Sequence, residues 1–319
     1  MALFKTLADC LRQATKTSLT LFRIIVPIAI GMRLLELLGA IDLLGRLLTP
    51  AMALVGLPGS MGLVWATAML TNIYGGMVVF AGLAPDAGLS VAQVTVLATM
   101  LLIAHAIPVE ASIARHAGTS FRAMAALRVG GALAAGALLH LGYTITGTLQ
   151  QPNQALWNAP PRNPGWLGWA AGEARTLVYI FLILFALLVV MRLLEHFGII
   201  AALARLLRPL LTLLGISERA APLAIIGMTL GLTYGGGLII QEARAGQLSR
   251  HDVFCALALL GICHSFIEDT LLMLVIGGHL SGTLFFRTFF ALLLTWLIAR
   301  LLPRLPAAVA ERWCFSRQP

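Results

Sequence analysis

The chain has 319 residues, of which 59% are hydrophobic and only 11% charged, with a mean hydropathy of +0.92. A soluble domain carries about a quarter charged residues, so a water-soluble globular fold is excluded and an integral membrane protein is expected. The formal net charge of +9 would suggest nucleic acid in a soluble protein. Here arginines flank apolar runs, where they set topology, and no nucleic-acid partner is expected.

In chain order, residues 1–17 read as an amphipathic lead-in that is retained, because no short apolar core ends in a cleavage site. Residues 18–146 then divide into apolar segments at roughly 18–39, 41–57, 59–83, 91–117 and 120–146. A linker at 147–172 is rich in Pro, Asn and Trp (Pro152, Pro160, Pro161, Pro164, Trp157, Trp166, Trp169) and is read as extramembrane, with tryptophans at headgroup level. Residues 173–302 give five more segments, roughly 173–196, 199–216, 219–243, 250–277 and 281–302, before a basic tail at 303–319. The second segment of each half is short and carries Arg and Pro, so it either spans or re-enters. The cysteines (Cys10, Cys255, Cys263, Cys314) have no disulfide-like or zinc-like spacing.

The halves are copies of one pattern at an offset of 159–160. Met32–Glu36 recurs as Met191–Glu195, His105 falls on His264, Glu110 on Asp269 and Gly118 on Gly277. After one inserted residue, Tyr74-Gly75-Gly76 falls on Tyr234-Gly235-Gly236. Glycine costs a helix interior ~1 kcal/mol relative to alanine, and Gly-interrupted segments in matching places of two halves point to a transporter's binding site. Close packing through small residues is the alternative use of such glycines. The spacing predicts breaks within 70–77 and 231–238. With five crossings per half, an odd number, the copies are inverted. Both termini are then expected on the cytoplasmic side of a bacterial inner membrane, with Lys5, Arg12, Lys16, Arg115, Arg122, Arg244 and Arg250 inside.

Ionisable residues within apolar segments are costly and usually face a partner or a cavity. His105 and Glu110 lie five apart around Pro108, while His264 and Glu268 lie four apart, with Asp269 next. On a continuous helix His264 and Glu268 share a face, and the tighter pairing is expected there. By inverted symmetry both groups should approach one central cavity. Candidate solute-binding residues are therefore Asn72, Tyr74, Gly75, Gly76, His105, Glu110, Tyr234, Gly235, Gly236, Gln241, His264, Glu268 and Asp269. A metal at His105, Glu110, His264, Glu268 and Asp269 is the alternative use of the same side chains. Arg33/Glu36 and Arg192/Glu195 read as structural pairs three apart.

On the Tyr-Gly-Gly segments and the His–carboxylate segments after them, the chain resembles the nucleoside recognition (Gate) domain family over roughly 20–145 and 175–300. That family includes bacterial inner-membrane proteins of unassigned function and the spore maturation proteins A and B. Related elements occur in concentrative nucleoside transporters and in the membrane part of the ferrous iron transporter B. The GxxxxGK[ST] loop of an iron-transporter GTPase domain is absent from this sequence, and no gate cysteine stands at Tyr74 or Tyr234.

The expected fold is thus an all-α polytopic membrane protein of two inverted repeats, each of about five hydrophobic segments, with broken helices at Tyr-Gly-Gly. The expected function is a secondary transporter or permease for a small polar solute, nucleoside-like or another metabolite, with proton coupling through His105 or His264. A transition-metal permease and a non-transport assembly or scaffold protein are the alternatives. No HExxH or GxSxG motif is present, and neither an enzyme nor a cofactor is expected. The expected partners are the lipid bilayer and the solute, with homo-oligomerisation left open.

Overall fold

The computed structural model describes residues 2–156 and 165–316. The chain is an all-α polytopic membrane protein. Trp157, Pro160, Pro161 and Pro164 of the linker lie outside the described residues.

Each half opens with a long helix, α1 (Ala2–Leu37) or α8 (Trp166–His196). The expected lead-in is therefore the first part of α1, and Trp166 and Trp169 belong to α8 instead of the linker. A left-handed glycine, Gly39 or Gly198, then turns the chain into a short amphipathic helix, α2 (Ala40–Ala53) or α9 (Ile199–Leu213). The third segment is two helices, α3 (Met61–Leu70) and α4 (Ile73–Ala87), matched by α10 (Ala220–Leu230) and α11 (Leu232–Arg244). The fourth is again two, α5 (Val91–Ile103) with α6 (Ile107–His116), matched by α12 (Arg250–Ile262) with α13 (Glu268–Val275). Each half closes with a continuous segment, α7 (Phe121–Thr146) or a π-helical turn Ser281–Phe286 running into α14 (Arg287–Leu301). A short helix, α15 (Ala307–Trp313), ends the described chain.

The duplication is written into the backbone as well as the side chains. Positive φ recurs at Gly39 and Gly198, Gly56 and Gly215, Gly118 and Gly277, and at the non-glycine pair Ala106 and Ser265. The N-caps recur too: Ser90 accepts from Gln93 N–H at the start of α5, and Ser249 from Asp252 N–H at the start of α12.

Both expected breaks are present, at Thr71–Asn72 and at Gly231. Asn72 caps α4 by accepting the Gly75 N–H at 2.9 Å, whereas Gly231 (φ 97) uses a conformation that residues with a Cβ rarely adopt. Neither broken segment is a kinked span. A Cβ on Gly76 would lie 3.2 Å from Val64 O, and one on Gly235 would lie 3.2 Å from Leu223 O. Residues twelve apart on a straight helix stand about 18 Å apart. The chain has therefore folded back, and α3–α4 and α10–α11 are hairpins whose helices touch through Gly76 and Gly235. A Cβ on Gly235 would collide with Gly227 Cα. The Tyr-Gly-Gly glycines thus serve the close approach, and the break lies just before them.

Loop contacts sort the helix ends onto two faces. On one face Gln93 donates to Gly56 O, Asn153 N–H to Leu89 O, and the Asn153 side chain to Ile276 O. On the other, Ser120 N–H donates to Cys314 O, Ser217 N–H to Asp252, and Arg250 pairs with Glu311. Each half therefore crosses three times, through its long helix, its broken helix and its last helix. This corrects the expected five crossings per half: the second segment is an amphipathic helix on one face and the third returns to the face it left. Three is also odd, so the repeats remain inverted and the two hairpins enter from opposite faces.

Candidate functional site

The broken helices α5–α6 and α12–α13 carry the histidines in their gaps. His105 Nδ1 faces Leu101 O at 2.8 Å and His264 Nδ1 faces Leu260 O at 2.7 Å. A carbonyl only accepts, so each Nδ1 carries a proton, and each ring turns its Nε2 towards the centre. The two Nε2 atoms, one from each half, stand 3.2 Å apart. Glu110, in the first turn of α6, places Oε1 3.4 Å from both of them. Its other oxygen, Oε2, pairs with Arg128 of α7 at 2.5 Å. Asp269, in the first turn of α13, has Oδ2 4.0 Å from His264 Nε2. All of these side chains are at least nine-tenths buried except Asp269, whose side chain is 12% exposed.

The free backbone at the gaps is tied to the hairpin tips. Ala106 N–H donates to Ala68 O, and Phe266 N–H to Met228 O, both at 2.9 Å. Arg128 Nε donates to Ile103 O at 2.8 Å, covering a carbonyl that the end of α5 leaves open. The N-termini of α4, α6, α11 and α13 thereby gather around the centre, each with its partial positive end.

The sequence candidates do not all reach the centre. His105, Glu110, His264 and Asp269 meet in one hub, as inverted symmetry implies. Tyr74, at the tip of the first hairpin, lies within electrostatic reach of Glu268 and Asp269. Gly75, Gly76, Gly235 and Gly236 line helix contacts, with a Cβ on Gly236 meeting Ile113 of α6 at 2.6 Å. The side chain of Tyr234 lies outside the described residues. Two expectations fail. Glu268 does not share a helix face with His264, because the helix stops at Ile262 and restarts at Glu268; the nearest carboxylate oxygen to His264 is Glu110 Oε1, from the other half. Gln241 is exposed near the far end of α11, away from the break. Asn72 spends its side-chain oxygen on the helix cap.

Two members of the hub were not singled out from sequence. Arg128 and Arg287 are 1% and 0% exposed, and they fall at the same offset of 159 that relates His105 to His264. That offset was the available signal. Arg287 Nη2 reaches Phe266 O and Thr270 Oγ1 at 3.4 Å. Its Nε and Nη1, together with Arg128 Nη2 and Asp269 Oδ2, are buried without a hydrogen-bond partner. Beside Glu110 and Arg128 a cavity of about 10 Å³ opens, lined also by Leu232 and Gly261. A larger cavity, about 340 Å³, lies away from the hub among α1, α4 and α8, where Arg33, Glu36, Asp86 and Glu173 line it.

A family model described as "Gate: Nucleoside recognition" matches residues 177–280, which hold the second hairpin and His264. A curated protein, the uncharacterized membrane protein YvoD of Bacillus subtilis, is 30% identical over 290 residues, covering 89% of this chain and 91% of that protein. The chain belongs to the nucleoside recognition (Gate) family. The matched Gate region is the second repeat, and the first repeat carries the same elements at the same spacing. No solved structure matches this Gate protein at a significant level.

Proposed function

We propose that this Gate protein is a secondary transporter or permease that carries a small polar solute through the hub between its two repeats. The observation that carries the reading is the meeting of buried ionisable side chains from both repeats at one point: His105, Glu110 and Arg128 from the first, His264 and Asp269 from the second. Such groups inside an apolar span are costly and usually line a solute or proton route. A solute with both donors and acceptors would find partners among them. Inverted hairpins that meet at mid-membrane also suit alternating access, in which one hairpin parts while the other stays closed. A cavity of about 10 Å³ holds about one water. A nucleoside-sized solute therefore needs a hairpin to move aside.

The face bearing Arg115, Arg122, Arg244, Arg250 and Arg312 is the cytoplasmic one in this reading, which puts both termini on the cytoplasmic side of a bacterial inner membrane. Metabolite profiling of cells with and without the protein tests the proposal. At least one small polar metabolite should change its ratio of inside to outside, and the change should vanish with His264→Ala. Identical profiles, at confirmed expression and insertion, would refute it.

A further inference from the structure

The geometry points to a binding site for one divalent first-row transition-metal ion at His105 Nε2, His264 Nε2 and Glu110 Oε1. The inference rests on the transporter reading only for the site's place on a solute route; the coordination itself stands on distances. The three atoms form a triangle with edges of 3.2, 3.4 and 3.4 Å. For an ion about 2.0–2.1 Å from each ligand, the edge of a regular tetrahedron is about 3.3–3.4 Å. The triangle is therefore one face of a tetrahedral site, already at ligand spacing.

The orientation of the rings supports the same occupant. With both Nδ1 atoms turned to Leu101 O and Leu260 O, the two Nε2 atoms face one place, 3.2 Å apart. A neutral imidazole that donates its other N–H to a backbone carbonyl is the usual state of a metal-bound histidine, since that bond fixes tautomer and ring orientation. Arg128 plays a similar part for Glu110, holding Oε2 and leaving Oε1 for the imidazoles.

Asp269 stands beside the triangle: its Oδ2 is 4.0 Å from His264 Nε2, and with the two imidazoles it forms a set whose ligand atoms all lie within 4.8 Å of one another. Glu110 and Asp269 supply carboxylate oxygens beside two imidazole nitrogens. Nitrogen and carboxylate donors without thiolate suit Zn²⁺, Co²⁺, Fe²⁺ or Mn²⁺ and disfavour Cu⁺. Cys263, the neighbour of His264, has Sγ facing Thr288 Oγ1 at 4.0 Å instead of the hub. The site takes one ligand set from each repeat, so neither half alone could hold the ion.

The test uses the full chain, purified without a histidine tag in detergent and stripped of metal, with Co²⁺ as the probe. One equivalent per chain should give the intense visible absorption of tetrahedral Co²⁺, and Zn²⁺ should displace it. His105→Gln and His264→Gln should each weaken binding about a hundredfold or more, because even outer partners of metal ligands are worth 10–100-fold. Glu195→Gln, an exposed change far from the hub, should leave binding unchanged. The wild-type spectrum needs no variant, so a misfolded substitution cannot rescue or sink the result. No tetrahedral band, or a band unaffected by His264→Gln in inserted protein, overturns the site, and a shared proton between the imidazoles then takes its place. Solute uptake by the metal-stripped protein separates the two readings: uptake without Co²⁺ binding overturns the metal site and leaves the transporter standing. Co²⁺ binding without any uptake supports the site and removes the transporter.

Discussion

Replacing Arg128 with methionine should be among the most damaging single changes in the chain. The guanidinium is 1% exposed, pairs with Glu110 Oε2 and donates from Nε to Ile103 O at 2.8 Å. Removing one partner of a buried ion pair costs about 3–5 kcal/mol, because the other charge stays buried. The bare Ile103 carbonyl adds about 1–3 kcal/mol, part of which the same relaxation recovers. A total of about 4–6 kcal/mol results, roughly three to four powers of ten in the ratio of folded to unfolded chains. Replacing the whole pair is a different perturbation. Arg128→Met with Glu110→Leu removes both charges, and apolar replacement of buried pairs is often neutral, so the double variant should regain about 2–3 kcal/mol. Unfolding in mixed micelles, followed by fluorescence of the chain's tryptophans, including the buried Trp65, reads both numbers. If Arg128→Met costs under about 1 kcal/mol, or the double variant is no better than the single, the buried pair does not hold the hub together.

The hairpins and the two faces give two further expected outcomes. Gly235→Ala should open the second hairpin, since its Cβ would collide with Gly227 Cα, whereas Gly237→Ala meets nothing within 4 Å and should leave stability unchanged in the same unfolding assay; equal effects would contradict the fold-back. With Cys314 replaced by serine, Thr148→Cys and Gln247→Cys, both exposed and on opposite faces, should react with an impermeant thiol reagent from opposite sides of the membrane. Labelling of both from one side would remove the three-crossing topology.

Much of this was readable in the sequence, for physical reasons that differ from element to element. The duplication survives because each repeat needs the same turns: Gly118 and Gly277 both take positive φ, which few other residues tolerate. The breaks were visible because glycine and asparagine interrupt otherwise apolar helices. The fold-back was not visible, since segments of 59–83 and 219–243 are long enough to span, and it is the contacts of Gly76 with Val64 and of Gly235 with Gly227 that show they return. Arg128 and Arg287 were hidden because arginine near an apolar segment ordinarily marks a membrane edge. A continuous helix would pair His264 with Glu268, but Ser265, with a φ of 42, breaks it. Pairing across repeats, His264 with Glu110, depends on how two distant segments dock, and no local spacing encodes that.

Vesicles reconstituted with the full chain test the central claim most directly. Wild-type and His264→Ala proteoliposomes are incubated in an isotopically labelled small-molecule extract of bacterial cells, washed, and their contents read by mass spectrometry. The hub account predicts at least one polar solute or metal ion enriched in wild-type vesicles and absent from both His264→Ala and protein-free vesicles. Identical contents in all three, with equal protein insertion, would contradict it.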